Sequence, residues 1–359
     1  MRLRGLERLR SEWNENWAVL AIGVGSVLTA AFLPAWVQEL SKRWALGLGI
    51  LGAVVLMVGV WARVRATAAN RGTAFLVSAP LDDEEWGAGA VLWLQGATRF
   101  AGRGFRQIKT INRALPNDPG QWGAGLSYLK RMLGLYVEGL TDGSERDELS
   151  VLLMAPLPVS WALGTLFGQY SSVNVYQKSL AGPSLGGREE FFLAVRWHGG
   201  LRWGMPSETA EPVEEVTELA RKLAADESVF LPDVAGTIER LCEPDVGEDE
   251  RRAVVLALGA NPNVRADALS DAKARGLHRA LVVKRPSAEP YQERPEYFER
   301  IVYQAGSLVR AFNVEPAELW IYQSLPVSAA FSLGAFLNPP DRFHFMHYCN
   351  GVYEEATVR

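Results

Sequence analysis

Two stretches of this chain repeat one another, and the repeat limits the fold more than any other feature. Residues 148–176 read ELSVLLMAPLPVSWALGTLFGQYSSVNVY, and residues 318–346 read ELWIYQSLPVSAAFSLGAFLNPPDRFHFM. At one constant spacing, Glu148 matches Glu318, Leu149 matches Leu319, Pro156 matches Pro326, Leu163 matches Leu333 and Gly164 matches Gly334. Each copy reads as a strand, a Pro-containing turn, a small-residue helix, a Gly, and a second strand of alternating apolar residues. Two such units predict a pseudo-symmetric α/β domain with a shared cleft.

The segments around the copies follow the same order. Gly72 to Ala79 (GTAFLVSA) reads as a buried strand closed by Pro80, and Asp82 to Lys109 as helical in part, with Asp82, Asp83, Glu84 and Glu85 suiting a helix N-terminus. Ser127 to Gly139 is a second helix. In the other half, Ala253 to Gly259 is a buried strand, Arg265 to Arg275 a polar helix, Ala280 to Lys284 a strand, and Tyr297 to Phe312 an amphipathic helix. Strands that alternate with helices predict mostly parallel sheets covered on their faces. In such sheets ligands sit beyond the carboxyl ends of the strands. Phe191 to Trp203 reads as a hairpin turning at Gly199-Gly200. Gly204 to Glu250, with fourteen acids against three bases, reads mostly as a solvated linker holding one or two helices, such as Val213 to Ala225.

Ahead of this α/β region, residues 18–37 and 44–61 carry no charge. Helices of that length match the bilayer core, and Trp13, Trp17, Trp36, Trp44 and Trp61 fall at their ends, where amphipathic rings favour the headgroup region. Residues 1–65 are therefore expected to form a two-helix membrane hairpin. Arg2, Arg4, Arg8 and Arg10 precede it, and Arg63, Arg65 and Arg71 follow it, against Lys42 and Arg43 in the loop. This asymmetry predicts a two-pass protein with both termini in the cytoplasm. A cleaved signal peptide is disfavoured because a second apolar run follows at once. Ala21, Gly25 and Thr29, and Ala45, Gly49 and Ala53, offer small faces for close helix packing. Neither span holds an ionisable residue, so the usual marker of a transporter is missing.

The net charge of −4 argues against a protein that coats DNA or RNA polymers, because such binding is driven by basic surface. The two cysteines, Cys242 and Cys349, do not make a disulfide framework. Histidines 198, 278, 344 and 347 are scattered, and no GxSxG, HExxH or P-loop occurs. Strand alternation sets His344 and His347 on opposite faces, which disfavours joint metal binding. The expectation is a non-enzymatic protein without catalytic residues, metal or cofactor.

A strand, a Pro turn, an Ala/Leu-rich helix ending in LG and a strand ending in VxVYQ together resemble the SAVED domain, over residues 71–356. The resemblance implies an α/β fold of two fused CARF-type, Rossmann-like halves. The SAVED region would cover 71–359, with the first half at about 71–203, an acidic linker at 204–250 and the second half at 251–359. It also implies a receptor of CBASS anti-phage systems that binds a cyclic oligonucleotide, usually a di- or trinucleotide, made by a partner nucleotidyltransferase. Ligand binding would drive homo-oligomers and switch on the fused effector. An N-terminal two-helix hairpin is similar to transmembrane effectors of that group, which implies disruption of the bacterial inner membrane and abortive infection.

A cyclic oligonucleotide needs N–H groups or cations for its phosphates, polar side chains for ribose and aromatic rings for bases. Strand-end loops supply Pro80, Leu157, Ser160, Tyr176, Gln177 and Lys178 in the first half. The second half supplies Asn261, Asn263, Lys284, Arg285, Ser324, Ser328 and Tyr348. Lys284-Arg285, directly after a buried strand, is the strongest candidate. Two other readings remain: a membrane-anchored enzyme that degrades the cyclic nucleotide, and a passive membrane scaffold.

Overall fold

The computed structural model describes residues 51–60, 72–141, 149–167, 172–179, 191–198, 216–243, 251–259, 263–286, 292–314, 317–337, 342–349 and 351–358. The chain divides into two compact units, one of residues 1–72 with 101–107, the other of residues 73–100 with 108–359. In the first unit the expected membrane helix 18–37 lies outside the described residues, as do residues 44–50 and 61 of the second expected helix. Residues 51–60 are helical and expose Leu51, Val54, Met57, Val58 and Val60. Among the described residues no helix is long and apolar enough to cross a membrane.

The second unit contains two sheets built by the same succession of elements. The first half runs β1 (Thr73–Ser78), α1 (Glu84–Gly104), β2 (Gln107–Asn112), α2 (Gly123–Thr141), β3 (Leu149–Met154), α3 (Leu157–Gly164), β4 (Ser172–Lys178) and β5 (Phe191–His198). Between the halves come α4 (Val216–Ala224), β6 (Val229–Phe230) and β7 (Ala235–Arg240). The second half runs β8 (Arg252–Ala257), α5 (Val264–Ala274), β9 (Arg279–Lys284), α6 (Pro295–Phe312), β10 (Leu319–Ser324), α7 (Val327–Leu337), β11 (Phe343–Cys349) and β12 (Val352–Ala356). The strand orders are β2-β1-β3-β4-β5 and β12-β11-β10-β8-β9-β7-β6. The second contains β9-β8-β10-β11-β12, the same order as the first sheet read element by element. Strands β1, β3 and β4 are parallel, as are β9, β8, β10 and β11. In both halves the last strand returns antiparallel. Strand β1 is buried throughout and β8 at all but its last residue, as suits strands covered on both faces.

Local chemistry fixes several boundaries. The Asp83 carboxylate accepts from the Trp86 N–H at 2.7 Å and caps α1, with Glu84 and Glu85 in its first turn. The apolar positions Phe298, Ile301, Val302, Ala305, Leu308, Val309 and Phe312 recur at helical spacing and give α6 one buried stripe. The matched prolines act identically: Pro156 O accepts from Ser160 N and Pro326 O from Ala330 N, opening α3 and α7.

The repeat has a direct physical meaning at the contact between α3 and α7. A Cβ on Gly164 would lie 1.9 Å from Phe331 O, and a Cβ on Gly334 would lie 2.0 Å from Trp161 O. Gly164 and Gly334 are matched positions, and so are Trp161 and Phe331. The contact is therefore reciprocal, as at an interface that a two-fold axis relates to itself. The halves also cross over: α7 packs against β3, β4 and β5, while α3 packs against β11. Likewise α6 packs on β5, and the 3-10 turn Pro119–Gln121 before α2 packs on β12, where Thr357 N donates to Pro119 O. One buried apolar cluster runs through both halves, from Phe75, Val151 and Trp161 to Val254, Phe331 and Phe345. A smaller one, with Val255, Ala268, Val282 and Tyr322, lies under α5 on the other face of the second sheet.

Two segments gain detail over the sequence reading, and a third, the acidic one, differs from it. Of residues 82–109, expected to be helical in part, Glu84–Gly104 form α1, while Gln107–Asn112 join the first sheet as β2. Strand β5 pairs antiparallel with β4, while the expected turn at Gly199-Gly200 and residues 201–203 lie outside the described residues. The acidic segment, expected as a linker with helices, also adds β6 and β7 to the edge of the second sheet beside β9. The Asp233 carboxylate fastens it there: it accepts from Arg300 at 2.7 and 3.1 Å and from Gln304 Nε2 at 3.2 Å.

Candidate functional site

In both sheets the parallel strands end together. Ser78 is in register with Met154, and Ala257 with both Ser324 and Lys284. Beyond these levels the turns match: Ala79 N donates to Met154 O at 2.7 Å and Leu258 N to Ser324 O at 2.8 Å. Gly259 continues that turn, and a Cβ there would lie 2.3 Å from Ser324 Oγ, so the backbone passes over the serine only because the residue is glycine. The carboxyl end of the second sheet thus presents Lys284, Ala257 and Ser324 side by side at the strand spacing of about 4.8 Å.

These three side chains share the sheet face of Val282, Val255 and Tyr322, the face that α5 covers. Asn263 is exposed at the start of α5, and Asn261 lies outside the described residues. Among the described residues the Lys284 ammonium makes no hydrogen bond or ion pair, so a cation stands at the strand ends with Ala257 between it and Ser324. That combination suits an anionic group. The Arg285 guanidinium lies 5.9 Å from the Tyr297 ring centroid, at the first turn of α6.

The other candidates are dispersed. The Ser160 hydroxyl donates back to Ala155 O and Pro156 O, at 3.3 and 3.0 Å. Tyr176 is buried, with its ring 5.4 Å from that of Phe100 on α1. Lys178 is exposed at the end of β4, and Tyr348 is half exposed with its ring 5.0 Å from that of Tyr353. Ser328 is 1% exposed, in the first turn of α7 on the side between the sheets. The register therefore sets Lys284 and Ser324 on either side of Ala257 at one strand end, with Asn263 at the start of α5, the helix after β8. It does not bring Ser160, Tyr176 or Tyr348 to that place.

One polar residue that the sequence reading did not name, Gln323, also meets the inner face. Gln323 precedes Ser324 and is in register with Leu256, whose neighbour in β9 is Val283, both residues of the main core. Neither amide atom of Gln323 has a hydrogen-bond partner among the described residues, and neither does Ser328 Oγ. An unpaired buried polar group costs about 1–3 kcal/mol. The sign in the sequence was a Gln where the first copy has Leu153.

The histidines of β11 separate as alternation requires. His344 stacks on Trp320 at 4.4 Å with its Nδ1 2.7 Å from Glu355 Oε1, whereas His347 meets the Trp122 ring at 4.9 Å. Burial holds the His347 imidazole down to about 4, so it is neutral near pH 7. Among the described residues no group of three or more His, Cys, Asp or Glu is placed to hold a metal ion.

Neither a family model nor a curated protein sequence matches the chain. Among solved structures it is similar to two of the Acinetobacter baumannii Cap4 SAVED/CARF-domain containing receptor. One, with the cyclic trinucleotide 3'3'3'-cAAA, is 11% identical with a TM-score of 0.39. The other, with 2'3'3'-cAAA, is 12% identical with a TM-score of 0.41. Each match covers 88% of this chain and 60% of that chain, so the chain spans less than two thirds of those receptors.

Proposed function

We propose that this chain is a SAVED-type receptor for a cyclic oligonucleotide, fused to a membrane hairpin, acting as a non-enzymatic effector of a CBASS-type anti-phage system. The observation that carries the reading is the reciprocal seat of α3 on α7. It makes two Rossmann-like halves into one body, with a cation at the strand ends of the second sheet. Ligands of open α/β sheets lie beyond those ends, and a phosphodiester ring meets a cation and helix N-termini there. The uncharged runs 18–37 and 44–61, with the exposed apolar side chains of helix 51–60, support insertion in the inner membrane with both termini in the cytoplasm. The messenger comes from a partner nucleotidyltransferase. Its binding favours the associated state by mass action, and association gathers the hairpins and disrupts the bilayer.

The test is calorimetric titration of the detergent-solubilised full chain with a panel of cyclic di- and trinucleotides, with particle size followed by light scattering. One member of the panel is expected to bind and to enlarge the particle. Lys284→Glu with Arg285→Glu is expected to weaken binding by about tenfold or more, the worth of a charge-assisted contact. Conversion of the ligand to linear products would identify an enzyme instead. Absence of binding across the panel would leave a scaffold.

A further inference from the structure

The two copies differ at one position that decides which helix can meet an anion. Ser328 is the second residue of α7, and its matched position in α3 is Pro158. A proline has no N–H, so the first turn of α3 lacks the donor that the first turn of α7 offers. In the structure that donor is taken: Ser328 N donates to Gln177 Oε1 at 3.2 Å. Gln177 belongs to β4, in the other half of the receptor. Two residues on, Ser179 Oγ donates to Glu293 Oε1 at 2.6 Å, in the segment before α6. The carboxyl end of β4 is thus tied twice to the second half.

Three features of the α7 N-terminus exceed what a structural cap needs. The Ser328 hydroxyl is buried and has no partner among the described residues. The Gln323 amide, also buried and without a partner among the described residues, lies on the same inner side at the end of the preceding strand. The backbone donor of Ser328 is met by the amide oxygen of a side chain, a neutral acceptor at the positive end of a buried helix, where an anion is favoured.

We infer that Gln177 is a built-in competitor that holds the place of a phosphate oxygen at the first turn of α7, and that an incoming phosphate displaces it. This rests on the proposed function for the source of the phosphate, a phosphodiester of the messenger. The oxygen that accepts from Ser328 N changes from Gln177 to phosphate, and the Ser328 hydroxyl gains an acceptor. The link between β4 and α7 opens in the same step. Ligand binding therefore alters the tie between the halves, and the first half, with Pro158, carries no equivalent device.

Equilibrium dialysis of the full chain in detergent against radiolabelled inorganic phosphate tests this with three variants. Gln177→Ala removes the competing acceptor and is expected to bind phosphate about fivefold more tightly, the worth of one neutral hydrogen bond. Gln177→Glu places a charged competitor there and is expected to bind about tenfold more weakly. Ser328→Pro copies the first half, keeps the helix because proline is tolerated in a first turn, and is expected to lose the site. Equal affinity in wild type and all three variants overturns the inference, as does weaker binding by Gln177→Ala. Titration of wild type with cyclic trinucleotides separates the two proposals. If the phosphate order holds while no cyclic nucleotide binds, the receptor reading fails and the competitor stands. If a cyclic nucleotide binds while the phosphate affinities are equal, the reverse is true.

Discussion

At the scale of single residues, His347 is a sensitive reporter of the junction, because its imidazole lies against Trp122 of the first half. Burial holds it down to about 4, against about 6.5 in an unfolded chain. The unfolded state therefore binds more protons between those values. The stabilisation is complete above pH 6.5 and is lost as pH falls toward 4. The loss attributable to this group is about 3 kcal/mol. Urea denaturation at pH 7 and pH 5 is expected to show a fall in stability that His347→Phe reduces. An unchanged pH dependence in that variant would contradict the assignment. Asp226 adds a fall in the same direction only at lower pH, around and below the ordinary carboxyl value of 3.8, outside the range of that comparison. Burial disfavours its charge, but the Arg240 and Arg279 guanidinium groups outweigh that and hold its carboxyl below the ordinary range. The His347 variant leaves this part in place.

At the scale of elements, the account predicts which glycines matter. Gly164→Ala and Gly334→Ala each force a methyl against a backbone carbonyl of the facing helix, and each is expected to cost about 3 kcal/mol or more. Gly134→Ala in α2, where an added Cβ meets nothing within 4 Å, is expected to stabilise by about 0.5–1 kcal/mol. Denaturation midpoints compare the three directly. The matched glycines were legible in the sequence because the copies keep them, but their purpose was not, since a packing partner far along the chain leaves no local sign. Strands β1, β3, β8, β9 and β10 were legible for the opposite reason: buried parallel strands are written as short apolar runs. Strand β7 (AGTIER) was hidden in the acidic segment because its assignment depends on pairing with β9 and on the Asp233–Arg300 tie. The same limit applied to the site. Lys284 announced itself at a strand end. Gln323 and the Gln177–Ser328 contact required the register and the crossing of the halves.

At the scale of the whole molecule, the repeat is symmetric in its packing and asymmetric in its chemistry. The seat of α3 on α7 treats both copies alike. Lys284, Gln323 and the Ser328 N–H, in contrast, belong to the second half alone, with Leu153 and Pro158 at two of the matched positions of the first. If the chain acts as proposed, it offers one site, because the polar groups at the strand ends lie in the second half. Under that proposal, association of chains would count ligands one for one. The most direct test is calorimetric stoichiometry with the cyclic nucleotide selected from the panel, on the full chain in detergent. The account predicts one ligand per chain, with binding strongly weakened by Lys284→Glu. Two equivalent ligands per chain, or undiminished binding in that variant, would contradict it.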